Sequence, residues 1–110
     1  MPQPNLPTAA TAARFLSQAG FGATADSLAR LQSLGLEGWL REQFALASDQ
    51  SHFDWMQQNG YAVVAHRNDF GGVDNTLWRK LISAQDVLRQ RVVLSLSEIF
   101  VVSMAGLPVY

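Results

Sequence analysis

The stretch WRKLISAQDVLRQRVVLSLSEIFVVS, residues 78–103, decides the fold class of this chain. It contains neither proline nor glycine, and its apolar residues fit helical rather than strand spacing. Ser83 and Asp86 have the spacing of an approximate capping box, which predicts a short helix before them and a long one from about Ala84 to Met104. Apolar side chains surround most of the long helix, so we expect it to be central and largely buried.

In the rest of the chain, N-cap residues and glycines predict where the remaining helices begin and end. The predicted N-caps are Thr8, Thr24, Ser51 and either Asp74 or Asn75, and the predicted helix ends are Gly20, Gly35 and Gly60. A further helix follows directly after Gly35, with Leu36, Trp39, Leu40 and Phe44 on one face. Residues 61–65 form either a short strand or a buried loop in this interpretation. The sequence therefore predicts an all-α fold of five or six helices.

Composition limits the domain count and the classes of function. The chain has 110 residues, of which 48% are hydrophobic and 15% charged, with a net charge of −1 and no cysteine. This predicts a proline-rich lead-in over 1–8 and a single helical module over 9–110. The near-neutral charge gives no electrostatic footprint for nucleic acid, and the lack of cysteine excludes disulfides and thiolate chemistry.

The apolar run at 92–109 has to be distinguished from a membrane-spanning helix. Its 18 residues are near the lower limit for crossing a bilayer, but Glu98 lies in its middle. Gly106 and Pro108 also end the helix early, so the sequence favours a core helix over a span. Residues 1–13 have neither the basic start nor the long apolar run of a signal peptide.

The residues that could carry chemistry are few. His52 and His66, with nearby Asp54 and Asp69, offer nitrogen and oxygen ligands, but without a recognisable metal spacing. We therefore predict no metal and no cofactor. The catalytic candidates that remain are His52, His66, Asp69 and Glu98.

A second set of residues is predicted to support the structure or an interaction. Glu98 lies on an apolar helix with Arg91 two turns earlier on the same face, which predicts either a charge-paired carboxylate or the edge of an exposed stripe. The three tryptophans, at 39, 55 and 78, occupy apolar helical positions and are predicted core anchors. The structural or interaction candidates are Trp39, Trp78, Arg91, Val93, Glu98 and Phe100.

Three stretches carry a family resemblance: RFLSQAGFGAT at 14–24, LGLEGWLREQF at 34–44, and the opening stretch at 78–103. Together they resemble the N-terminal region of a bacterial family, domain of unknown function 1800. The resemblance implies that this chain is the N-terminal part of a protein several times longer, exported to the periplasm or beyond. It implies no catalytic residue, because none is established for that family.

These observations lead to three hypotheses of function. The first is a helical structural or partner-binding module of a larger exported bacterial protein, which packs against downstream polypeptide of the same protein or a protein partner. The second is part of an enzyme, such as a metal-assisted hydrolase, whose active site is completed by a downstream region. The third is self-association through the final helix.

Overall fold

A computed structural model describes residues 6–100, and every regular element within them is helical. The prediction of an all-α fold is confirmed, and no strand forms at 61–65. The elements are α1 (Ala9–Ala19), α2 (Ala25–Ala45), α3 (His52–Gln58), a 3₁₀ turn (Val64–His66), α4 (Gly71–Ser83) and α5 (Val87–Ile99).

Three predicted N-caps are confirmed. The Thr8 hydroxyl accepts a hydrogen bond from a backbone N–H in the first turn of α1. Thr24 and Ser27 form a reciprocal capping box, with N–H to hydroxyl distances of 3.1 and 2.8 Å. The Ser51 hydroxyl accepts from the backbone N–H of Asp54 at 3.0 Å. Short hydroxyl side chains satisfy the free donors of a first turn, which is why the sequence locates these starts.

Gly35 divides α2 into two helical halves. Its φ of 70° and ψ of 170° lie outside the helical region, and its backbone is buried. A positive φ strains any residue with a Cβ, so glycine is the residue that fits here. The predicted boundary at Gly35 is therefore confirmed as a break within one continuous element.

The hydrophobic core lies where α1, α2 and the start of α5 meet. Its buried members are Ala12, Leu16, Leu31 and Trp39, and Phe15, Ala19, Leu28, Leu40, Val87 and Leu88 pack around them. The Trp39 ring meets the Phe15 ring edge to face, with centroids 5.3 Å apart. Trp39 is thus the core anchor that the sequence predicts.

The predicted long, buried final helix needs correction. Helix α5 begins at Val87, three residues later than predicted, because the Ser83 hydroxyl donates to the carbonyl of Arg79 instead of capping α5. The part of the predicted helix at 101–104 lies outside the described residues. Gln90 is the one buried residue of α5, because only one side of the helix packs on α1, α2 and α4.

Helix α4 begins earlier than predicted, at Gly71 instead of after Asp74 or Asn75. The Asp69 carboxylate accepts the backbone N–H of Gly71 at 2.8 Å, which supports the start. Gly72 is buried against Tyr61, and a Cβ built on it would lie 2.7 Å from a ring carbon. Close packing against Tyr61 therefore explains the glycine at position 72.

Candidate functional site

Helices α4 and α5 bury polar residues and expose apolar ones. The buried residues of α4 are Gly72, Thr76 and Lys80, and that of α5 is Gln90. The exposed apolar residues are Val73, Leu77, Trp78 and Ile82 on α4, and Val92, Val93, Leu96, Ile99 and Phe100 at α5. Most folded surfaces scatter such residues singly, so this concentration on consecutive helices is unusual.

Trp78 is the clearest example of an apolar residue that the fold leaves exposed. Its exposed fraction is 63%, against 3% for Trp39, so the predicted core role of Trp78 is wrong. Trp78 projects from the side of α4 opposite the one that packs on α3, where Thr76 and Lys80 occupy the buried positions instead. Val93 and Phe100 are also exposed, and their role in an interaction stays a prediction.

The seam between α3 and α4 is polar. The Nδ1 atom of His52 lies 3.1 Å from the hydroxyl of Thr76, which is almost wholly buried. Burial of the imidazole lowers the pKa of His52, and the charges of Lys80 and Arg79 lower it further. The seam therefore disfavours the charged form of the His52 imidazole.

Two arginines hold the segment between α2 and α3. Arg79 of α4 donates to the Asp49 carboxylate at 2.7 Å and to the carbonyl of Gln50 at 3.0 Å. Arg89 of α5 donates to the Asp86 carboxylate at 2.8 Å and to the carbonyl of Leu46 at 3.0 Å. The connector over 46–50 is thus fixed at both of its ends.

A polar cavity of about 340 Å³ lies beside this connector. Asp49 and the buried Asp86 both line it. The Gln50 backbone N–H, and after it the Arg79 guanidinium, lower the pKa of Asp49. Since each carboxylate is paired with an arginine, the cavity lacks the excess negative charge that a divalent cation requires.

His66 and Asp69 are the two catalytic candidates that the fold brings together. The His66 Nδ1 and an Asp69 carboxylate oxygen are 3.2 Å apart, and both side chains are about half exposed. The pKa of Asp69 is lowered by the Gly71 backbone N–H and then by His66. Both residues line a cavity of about 450 Å³ that Tyr61 and Phe70 also line. The pair could orient an imidazole for proton transfer.

His52 and Glu98 do not join that pair. The cavity lining contains neither residue. Across the part of the chain that the structure describes, no three histidine, aspartate or glutamate residues are grouped so as to hold a metal ion. The candidates therefore divide into one pair and two separate residues.

Glu98 is exposed, and no ion pair joins it to another residue between 6 and 100. The guanidinium of Arg91 lies 5.8 Å from the centroid of the Phe21 ring instead. Arg79 and Arg89, which could have paired a buried carboxylate on α5, bind aspartates near the helix ends. Of the two alternatives for Glu98, the charge-paired carboxylate does not form among the described residues, and the side chain is exposed.

Two apolar recesses adjoin the exposed faces. A groove of about 420 Å³ runs between α2 and α5, and its apolar lining is Leu40, Phe44, Leu88, Val92 and Val93. A cleft of about 460 Å³ lies between the α1–α2 loop and the α4–α5 junction, where Phe21, Trp39 and Ile82 contribute. The ion pair of Arg30 and Glu42 also lines this cleft.

Sequence reasoning missed the buried polar residues. Thr76 and Lys80 are four residues apart, as are Asp86 and Gln90, and each pair lies on one helical face. The Gln90 amide donates to the Asp86 carboxylate at 3.3 Å. The spacing alone does not identify the inward faces, because Asn75 and Arg79 of α4 have it too and are not among the buried residues.

Within residues 6–100, no helix has both the length and the hydropathy needed to cross a membrane. No curated protein and no solved structure matches this chain significantly. A family model described as "Protein of unknown function (DUF1800)" matches residues 14–107. This match covers most of the chain and includes α2 to α5 and nearly all of the core. The chain belongs to the DUF1800 family.

Proposed function

We propose that this chain is a helical module that gives structural support or a partner surface within a larger exported bacterial protein. The observation that carries the proposal is the inverted arrangement of α4 and α5, which bury polar residues and expose apolar ones. The family resemblance of the sequence supports the larger, exported protein. The partner is then either downstream polypeptide of the same protein or a separate protein.

The exposed face of α4 has the chemistry of a polypeptide contact. Ile82 is 80% exposed and Trp78 is 63% exposed, and they lie four residues apart on the helix. Burial of one such side chain stabilises by about 1.5–3 kcal/mol, so a partner that covers both gains several kcal/mol. The net charge of −1 supports a partner other than nucleic acid.

Binding of a hydrophobic fluorescent dye to the purified chain tests this proposal. We expect strong dye fluorescence, reduced in the double variant Trp78→Ser and Ile82→Ser. The matched control is Gln57→Ser, an exposed polar residue of α3, which should leave the fluorescence unchanged. Circular dichroism verifies that each variant folds. A monomeric chain that binds no dye would contradict the proposal.

The second candidate is a part of an enzyme, such as a metal-assisted hydrolase completed by a downstream region. The contact of His66 with Asp69 in the lining of a cavity favours this alternative. Metal analysis of the full-length protein and its His66→Ala variant is the test, with Gln57→Ala as the control. Equal metal content in wild type and His66→Ala would remove His66 from the site.

A further inference from the structure

We propose that the exposed face of α5 is a dimer contact, on which a second copy of this chain packs about a twofold axis near Leu96. The inference rests on the proposed function, because it names the partner of one of the two exposed apolar faces. It concerns the stripe formed by Val92, Val93, Leu96, Ile99 and Phe100, called here the α5 stripe.

The α5 stripe is one continuous face of the helix. Its members follow the spacing i, i+1, i+4, i+7 and i+8, and each is between 46% and 72% exposed. At about 100° of rotation per residue, Arg91 and Glu98 project from the opposite side. Two copies can therefore meet along this stripe without placing like charges against each other.

The stripe is also self-complementary about its centre. In an antiparallel pair centred on Leu96, Phe100 of the second copy falls beside Val92. That position adjoins the groove of about 420 Å³ that Phe44 and Val92 line. The volume of the groove exceeds that of an aromatic ring, and the twofold axis repeats the same contact on the other side.

Arg89 lines the same groove without leaving a free charge in it. Its guanidinium is bound to the Asp86 carboxylate and to the carbonyl of Leu46. The arginine stem can then pack on an incoming apolar side chain while its charge stays paired. Phe100 of the second copy can therefore enter the groove without burying an unpaired charge.

The apolar area agrees with a dimer of standard size. Phe44 at 74% exposure and the five stripe residues together offer roughly 700 Å² of apolar surface, near the ~800 Å² that each partner gives to a typical stable interface. The surrounding side chains supply the remainder. A second copy therefore removes most of the exposed apolar surface of α5 and of Phe44.

Sedimentation equilibrium of the full 110-residue chain tests the contact, with concentration varied over roughly a hundredfold range. We expect a dimer, and we expect Leu96→Glu to raise the dissociation constant by about 100-fold or more, because the two introduced carboxylates face each other. The matched control is Leu77→Glu, since Leu77 on α4 is 43% exposed and Leu96 is 46% exposed. Circular dichroism verifies that both variants fold.

Two further variants locate the contact. Leu96→Lys alone should also be monomeric, whereas a mixture of Leu96→Glu and Leu96→Lys should dimerise again, because opposite charges then meet at the axis. Phe100→Ala should weaken the dimer, whereas Phe53→Ala, on an exposed aromatic residue of α3, should not.

Any other result overturns the proposed dimer contact. A dimer that Leu96→Glu leaves intact shows that another surface associates. A monomer whose dye binding falls in Leu96→Glu also overturns the dimer, but it leaves the proposed function standing, since the face then serves a different polypeptide. A monomer that binds no dye overturns both.

Discussion

The two halves of the molecule bury different kinds of residue, although α2 also buries Gln43 and exposes Phe44. In α1 and α2, Leu31 and Trp39 are almost fully buried, and charged residues lie outside. In α4 and α5, Lys80 and Gln90 are buried while Ile82 and Phe100 are exposed. The starts of α4 and α5 also differ from those predicted, so the second half departs from the sequence prediction in its helix boundaries as well as in its packing.

A segment can form helices without having its apolar side chains covered. Helix caps and amphipathic spacing act within a few residues and need no partner. A core needs enough apolar surface from several helices at once, and only α1, α2 and the start of α5 supply it here. The second half is folded as helices but has apolar faces that nothing between residues 6 and 100 covers.

The largest expected effect comes from matched tryptophan variants. Trp39→Ala should cost about 3–5 kcal/mol of unfolding free energy, because it leaves a cavity in the core. Trp78→Ala should change it by less than about 0.5 kcal/mol, because the ring is mostly exposed. Urea denaturation measures both. Similar losses in the two variants would mean that the halves are packed alike.

A smaller effect is expected from the buried polar network of the second half. Asp86→Ala removes the acceptor of Arg89 and Gln90, and should cost about 1–3 kcal/mol. Glu37→Ala is the control, since its ion pair with Arg41 is about 80% exposed and should contribute little. The same denaturation experiment applies, and a loss no larger than that of the control would show that the network is dispensable.

Variants at two helix N-caps should also differ in their effect. Thr24→Ala should cost about 1 kcal/mol of global stability, because α2 carries Leu31 and Trp39 in the core. Ser51→Ala should instead raise amide exchange within α3 alone, because α3 has no buried residue. Hydrogen exchange followed by NMR distinguishes the two. Global destabilisation by Ser51→Ala would contradict the expectation that α3 can open without the rest of the fold.

The smallest effect is a pH dependence at the α3–α4 seam. Burial, then Lys80 and Arg79, lowers the pKa of His52 below its unfolded value of about 6.5, so the folded protein binds fewer protons at this residue. The contribution of His52 to the free energy of unfolding is therefore fully present above that unfolded pKa. It is lost as the pH falls below that value towards the folded pKa. Denaturation at a series of pH values should show this small loss.

His52→Asn is the matched variant for that measurement. Its amide keeps a polar partner for Thr76 but does not titrate, so the loss between neutral and mildly acidic pH should disappear. An unchanged pH dependence in this variant would assign the effect to other groups.

The sequence predicts local features better than orientation. Thr24, Ser51 and Gly35 act through their own backbone and that of near neighbours, so their roles follow from residue type. Trp39 follows from the amphipathic pattern of its helix. Trp78 does not, because an apolar position on a helix shows which side is apolar without showing whether another helix covers it.

The candidate sites depend on contacts between distant residues, which no local pattern supplies. His52 and Thr76 are 24 positions apart, and Arg89 reaches a carbonyl 43 positions away. The one pair that the fold brings together, His66 with Asp69, lies within a single short loop. Because apolar residues surround α5, its sequence likewise does not show which side of the helix is buried.

Gly72 limits which sequences can adopt this fold. Glycine within a helix is usually less stable than alanine by about 1 kcal/mol, so random substitution there would ordinarily be tolerated or even beneficial. Here the smallest added side chain would collide with the Tyr61 ring. In a saturation library selected for folded protein, substitutions at Gly72 should therefore be depleted, whereas Trp78, a far larger residue on the same helix, should accept many replacements.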